Sequence, residues 1–282
     1  LDPASPHPQP SQIGADLPLR IVSSLVMAPL AILAAYAGGW GFFAFWTAAA
    51  VLVAWEWETM SAGDAARPAF ALAAIAVLAG ALALKLGYPL GALAIIVIGI
   101  AAVAVVSPGG RRGWTGAGVF YAAAMVLPAV VLRADLSYGF VALLLLFAVV
   151  WGTDVAAYFG GRLIGGPKLW ERVSPKKTWS GAATGTLAAV AAGVTLAAIA
   201  NIGNLLAIGL LCALLSAASQ AGDLFESAVK RHFGAKDSSH LIPGHGGLMD
   251  RLDGFVAAAL LAALVGLARG GIEAPSRGLL IW

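Results

Sequence analysis

Charge is scarce in this 282-residue chain: Asp, Glu, Lys and Arg make up 11% of it, against about 25% in an ordinary soluble domain. That scarcity excludes a soluble globular protein. A hydrophobic content of 60% excludes disorder as well, because so apolar a chain has every reason to leave water. Cysteine is nearly absent, and the single Cys212 allows neither an internal disulfide nor a cysteine-cluster metal site. The net charge is only +3, with no basic stripe for nucleic acid. The Walker A phosphate loop and the HExxH zinc motif are both missing. What remains is an integral membrane protein.

Stretches free of Asp, Glu, Lys and Arg run 21–55, 68–84, 86–110, 113–132, 136–153, 178–222 and 254–268. A helix needs about 20 mostly apolar residues to cross a bilayer core of about 30 Å. The 35-residue run 21–55 therefore holds two spans hinged near Gly38-Gly39, and the 45-residue run 178–222 holds two hinged at Asn201–Asn204. The other five runs hold one each, which predicts an all-α membrane protein of about nine transmembrane helices. The last run has only 15 uncharged residues and reaches full length if Arg269 snorkels to the headgroups. Continuous apolarity without in/out alternation argues against a barrel. Tryptophans such as Trp40, Trp46, Trp57, Trp151, Trp170 and Trp179 fall near the predicted span ends and suggest an interfacial belt. Gly181 and Gly185 have the spacing of a helix-packing or dimer contact.

With nine spans, alternate loops lie on opposite sides, and 13 of the 17 cations fall on one side. That bias predicts a cytoplasmic N-terminus and an extracytoplasmic C-terminus. Residues 1–19 read as a disordered, proline-rich tail, 20–135 as about five N-terminal helices, and 136–282 as a catalytic region with cytoplasmic loops.

Within that region, residues 222–253 carry nine of the 31 charged residues and three of the four histidines. Asp223, Glu226, Ser227, Lys230 and Arg231 follow a spacing that puts them on one helical face. Gly244, Gly246 and Gly247 make a loop in which backbone N–H groups can approach an anion. Asp250-Arg251-Leu252-Asp253 then opens the last span. Hard oxygen ligands such as Asp223 and Asp250 suit Mg²⁺, which takes one or two carboxylates together with substrate phosphates. Lys230, Arg231, Lys236 and Arg251 are suited to neutralising a polyphosphate. Charged groups at a lipid-facing helix end are costly unless paired or functional. Physical reasoning thus reaches metal-assisted phosphoryl or nucleotidyl transfer at the cytoplasmic membrane face.

Ser227-x-x-Lys230-Arg231, Lys236-Asp237, Pro243-x-His245-Gly246-Gly247 and Asp250-Arg251-x-Asp253 together resemble the signature of the phosphatidate cytidylyltransferases, or CDP-diacylglycerol synthases. Every fixed position of that pattern is filled across 27 residues. Gly222-Asp223-Leu224-x-Glu226-Ser227, Ser174-Pro175-Lys176-Lys177-Thr178-Trp179-x-Gly181, Asp154-x-x-Ala157-Tyr158 and Gly161-Arg162 are similar to the family as well. The likeness covers roughly 150–255, and the first five spans match only in hydrophobicity. One departure is Ser180, where the family often has Glu.

The resemblance implies that phosphatidate and CTP react to give CDP-diacylglycerol and pyrophosphate, with Mg²⁺ held by Asp223 and Asp250. It implies Lys230, Arg231 and Lys236 on the phosphates, Gly244, Gly246 and Gly247 as the anion-contacting loop, and His245 as a donor to pyrophosphate or the lipid phosphate. Asp154, Glu226, Asp237 and Asp253 are expected to orient these groups or hold a second cation. Ser174, Lys176, Lys177, Thr178, Ser227 and Arg251 are expected around the substrates. The implied setting is the bacterial cytoplasmic membrane, among membrane lipids, as a homodimer without nucleic-acid partners. The competing readings are a CTP-dependent polyprenol or lipid kinase and a transporter.

Overall fold

The computed structural model describes residues 25–242 and 246–282. The chain winds into α1 (Leu25–Ala37), α2 (Gly39–Ser61), α3 (Ala66–Lys85), α4 (Pro89–Val106), α5 (Arg112–Ala134) and α6 (Gly139–Ile164). An antiparallel hairpin, β1 (Lys168–Trp170) and β2 (Ser174–Thr178), follows. The chain continues through α7 (Trp179–Ile199), α8 (Leu205–His232), α9 (Met249–Gly270) and a short α10 (Pro275–Leu280). Among the described residues eight helices, α2 to α9, are long and apolar enough to cross a bilayer. The ninth expected span corresponds to α1, whose described part is a shorter apolar helix. The N-terminal tail and Arg20 lie outside the described residues.

Both expected hinges are present. Gly38 and Gly39 adopt φ of 60° and 55° between α1 and α2, a conformation that costs a residue without Cβ little. The Arg133 guanidinium packs against Gly38, where a Cβ would lie 2.6 Å from its Cζ, and donates to the Ala35 and Tyr36 carbonyls. These are end-of-helix acceptors with no partner of their own in α1. At the second hinge Asn201 has φ 56°, and Asn204 caps α8 by accepting from the Ala207 N–H at 3.1 Å.

Apolar burial does not drive helices together in lipid, so close contact depends on small residues. α6 and α7 meet where Gly181 faces the Ala157 carbonyl and Gly185 the Thr153 carbonyl; a Cβ would lie 2.7 and 2.8 Å from those oxygens. The Gly181/Gly185 stripe is therefore used inside the chain. α8 and α9 cross in the same way, with Gly222 against the Asp253 carbonyl and Gly254 against Ser219. These two crossings bring Asp154, Asp223 and Asp253 to one end of the bundle.

One expectation is corrected. Trp46 and Trp57 do not join an interfacial belt: Trp46 is 2% exposed and stacks on Phe255 at 4.7 Å, while Trp57 is fully buried and donates to the Trp114 carbonyl. An indole packed among helices gains contacts on both faces. Arg269 turns back to the Gly278 and Ile281 carbonyls and lies 3.6 Å from the centre of the Trp282 ring. Those carbonyls, at the end of α10, satisfy the guanidinium, and α9 reaches spanning length with Arg269 in its last turn.

Candidate active site

Two glycines past the end of α6, Gly165 and Gly166 with φ of 69° and 103°, reverse the chain into the β-hairpin. Thr178 closes the hairpin and caps α7 by accepting from the Gly181 N–H at 3.1 Å. Ser180, at the position where Glu is usual, bonds to the Thr178 hydroxyl at 3.0 Å and to the Gly165 carbonyl. It ties this turn to the start of α7. The hairpin thereby lies beside a cavity of about 800 Å³ bounded by α6, α7, α8 and the start of α9.

Five carboxylates line that cavity: Asp154, Asp223, Asp237, Asp250 and Asp253. So do six cations, namely Arg162, Lys168, Lys176, Lys177, Lys230 and Arg251. The three ion pairs among the described residues are all here: Lys177 with Asp223, and Lys230 with both Glu226 and Asp250, at 2.7 and 2.5 Å. Glu226 is fully buried, and Lys230 is the cation set against it. Ser227 is 3.4 Å from Asp223. Arg162 donates to the Tyr158 hydroxyl at 3.0 Å and makes no ion pair with Asp154. Arg251 lines the cavity with no carboxylate partner among the described residues.

The carboxylate of Asp250 is anchored through Oδ2, while Oδ1 has Lys230 as its one partner. Its Oδ1 accepts from Lys230, and its Oδ2 accepts from the Ser238 N–H, the Ser238 hydroxyl and the Gly247 N–H at 2.9, 3.0 and 2.8 Å. The expected anion cradle is thus not what the described part of the glycine loop forms. The Gly247 N–H turns inward to Asp250, and Gly246, with φ 84°, packs against the same carboxylate. Gly244 and His245 lie outside the described residues.

Not every expected residue reaches the cavity. The α8 stripe divides: Asp223 and Lys230 face the cavity, whereas Arg231 is exposed and donates to the Ala235 carbonyl at 3.2 Å. A one-residue step along a helix turns a side chain by about 100°, enough to take Arg231 off the cavity side. Lys236 is exposed, and neither it nor Ser174 lines the cavity.

A residue absent from the sequence reading also enters the site. Glu56, fully buried in α2, accepts from the Ser239 hydroxyl and the Leu248 N–H on Oε1 and from the Met249 N–H on Oε2, with the Ser238 hydroxyl 3.3 Å from Oε2. Its signal in the sequence is faint: an acid between two tryptophans at the end of a long apolar run.

No three His, Cys, Asp or Glu side chains among the described residues are gathered into a ready-made metal cage. Mg²⁺ keeps several waters and takes one or two protein carboxylates. Asp223 and Asp250, each already balanced by a lysine, fit a cation that arrives with phosphates.

Residues 18–268 match the model of the cytidylyltransferase family. A phosphatidate cytidylyltransferase of Brucella suis is 43% identical over 264 residues, covering 93% of this chain and 97% of that one. One from Brucella abortus is 44% identical over 254 residues, covering 89% and 94%. A Staphylococcus epidermidis enzyme of the same name is 43% identical over 115 residues, covering 40% of this chain and 44% of its own. The long matches take in the apolar N-terminal helices as well as the charged cavity, so the likeness extends through the whole bundle: this chain belongs to the cytidylyltransferase family.

Proposed function

We propose that the protein joins phosphatidate to CTP, giving CDP-diacylglycerol and pyrophosphate, at the cytoplasmic face of the membrane. The carrying observation is a single cavity at a bundle end that sets five aspartates among six cations. Such a mixture suits an anionic headgroup and a triphosphate at once. The family and the names of its relatives point to the same two substrates. The excess of cations in the loops at this end supports the cytoplasmic orientation.

An oxygen of the phosphatidate phosphate attacks the α-phosphorus of CTP. A P–O bond forms there as the bond to the oxygen bridging α and β breaks, and pyrophosphate leaves with that oxygen. A phosphate monoester has a second pKa of about 6, so the attacking oxygen is already ionised near neutrality and no side chain has to remove a proton. The protein's work is alignment and charge neutralisation. Lys176 and Lys177 on the hairpin, Lys230 on α8 and Arg251 on α9 approach the cavity from separate elements, so they can hold two anions that repel each other. Asp223 and Asp250 would hold Mg²⁺, which supplies charge neutralisation at the phosphates when bound. Asp154, Asp237 and Asp253 remain to orient that set or to take a second cation.

The test is product identity with purified protein, phosphatidate, labelled CTP and Mg²⁺. CMP-bearing lipid and pyrophosphate, both lost on adding EDTA, are expected. CDP with a phosphorylated lipid would replace the proposal with a lipid kinase. Solute flux in proteoliposomes without CTP turnover would replace it with a transporter.

Gly247→Ala tests the site's geometry. A Cβ there would lie 2.5 Å from Glu56 Oε1 and still closer to the Ser238 hydroxyl. Glu56 is held by three donors and cannot withdraw cheaply. A displacement of about 1 Å at a reacting centre costs up to about 100-fold in rate. Turnover should therefore fall about 10- to 100-fold, and the displaced contacts should lower the thermal unfolding midpoint in detergent as well. Unaltered turnover would show that this loop tolerates rearrangement.

A further inference from the structure

Three donors converge on Glu56, and two of them are backbone groups at the start of α9. The first N–H groups of a helix have no partner within it, and a residue just before the helix usually supplies one. α9 has no such cap of its own: Leu248 stands at that position, with no side-chain cap bond. Instead the Leu248 and Met249 N–H groups donate to Glu56 at 2.8 and 2.6 Å. The cap comes from α2, nearly 200 residues away. A carboxylate there also meets the positive end of the helix dipole.

Asp250 follows directly. It and Glu56 share Ser238, whose hydroxyl lies 3.0 Å from Asp250 Oδ2 and 3.3 Å from Glu56 Oε2. They also divide three successive N–H groups, Gly247 going to Asp250 and the next two to Glu56. The two carboxylates are thus held side by side on one scaffold of backbone and serine. Only Asp250 lines the cavity; Glu56 stands behind it.

We infer that Glu56 is a positioning residue for the transfer reaction: from the N-terminal half of the chain it fixes the start of α9 and so aims Asp250 at the cation and phosphates. The inference rests on the function proposed above. It assigns the N-terminal helices a part in the chemistry besides spanning the bilayer. Outer carboxylates that orient a metal ligand typically change metal affinity or activity by about 10- to 100-fold when removed. In Glu56→Gln one oxygen becomes an amide NH₂ that faces N–H and O–H donors. The start of α9 should then shift while side-chain volume is kept.

Two measurements on the full-length protein in detergent decide it, each made on the unmodified chain, Glu56→Gln and Ser238→Ala. Titration with Mn²⁺, followed by loss of the free-ion electron paramagnetic resonance signal, should show Kd raised about 10-fold or more in Glu56→Gln. The rise should be smaller in Ser238→Ala, where the backbone cap survives. Turnover of CTP should show a lower kcat and a higher Mg²⁺ requirement, with KM for phosphatidate little changed. A merely structural role would lower the yield of folded protein and leave these values alone in what remains. Should Glu56→Gln not fold, Glu56→Asp, which keeps the charge but draws the carboxylate back by one methylene, decides by the same readings. Unchanged Mn²⁺ affinity and unchanged kcat in the variant that folds would overturn the inference and leave the proposed reaction standing. An unmodified protein that binds Mn²⁺ but makes no CMP-bearing lipid would overturn the reaction, and Mn²⁺ affinity would then judge Glu56 alone. An unmodified protein that does neither would overturn both.

Discussion

Replacing Asp250 with Asn should lower kcat/KM about 100- to 1,000-fold while the protein still folds in detergent. Removing one pre-organised group that stabilises transition-state charge costs about that much. Here the loss has two parts. The carboxylate accepts four hydrogen bonds, one of them from an ammonium, and an Asn places its NH₂ against some of those donors. The negative charge proposed to hold Mg²⁺ disappears with it. Asp223→Asn should behave alike, because Asp223 lines the same cavity and pairs with Lys177. The check is single-turnover kinetics over a range of Mg²⁺ concentrations, beside thermal unfolding of each variant. Unaltered rates in both variants would remove the metal assignment. An unaltered rate in Asp223→Asn alone would leave Asp250 as a cation ligand and pass the place of Asp223 to Asp253 or Asp154.

The second large effect is on stability. Lys230→Met should destabilise the fold by about 3–5 kcal/mol, the usual cost of stripping one partner from a buried ion pair. The Lys230 ammonium lies between Glu226 Oε2 and Asp250 Oδ1, and the side chains of all three residues are nearly inaccessible. With Lys230 gone, two carboxylates face each other in a low-dielectric interior, where like charges repel strongly. Adding Glu226→Gln to Lys230→Met removes one of the two stranded charges and should recover a large part of the loss. Residues sharing one ammonium are the case in which mutational energies fail to add. Equal unfolding free energies for the single and double variants would show that Glu226 carries no charge in the fold. Activity should stay low in both variants, since Lys230 is also proposed to meet the phosphates.

Much of the architecture was legible because lipid is an intolerant solvent. A charge-free run of sufficient length has few folds open to it, so the spans of α2 to α9 and the hinges at Gly38-Gly39 and Asn201–Asn204 were apparent from charge and glycine placement alone. The same scarcity of charge made 222–253 stand out, and spacing alone put Asp223 and Lys230 on one helical face. Spacing was too coarse for Arg231, one step further round the same helix. It also misjudged the glycine loop: glycine content says that backbone can come close to something, but not to what. In the described part of the loop that partner is Asp250 and Glu56. Trp46 and Trp57 were misplaced for a related reason, since a tryptophan near a span end looks the same whether it faces headgroups or a neighbouring helix.

By itself the sequence determined that the chain lies in a membrane, where its helices begin and turn, and which short segment concentrates its charge. Those properties depend on composition and on spacing along the chain, and both are local. Only the tertiary structure decided which charge answers which. Lys177 meets Asp223 across two elements, Lys230 serves two carboxylates at once, and Glu56 reaches from α2 to cap α9. Pairings of this kind depend on how helices cross in space. The small residues that let them cross closely, among them Gly181, Gly185, Gly222 and Gly254, do not name their partners in the sequence.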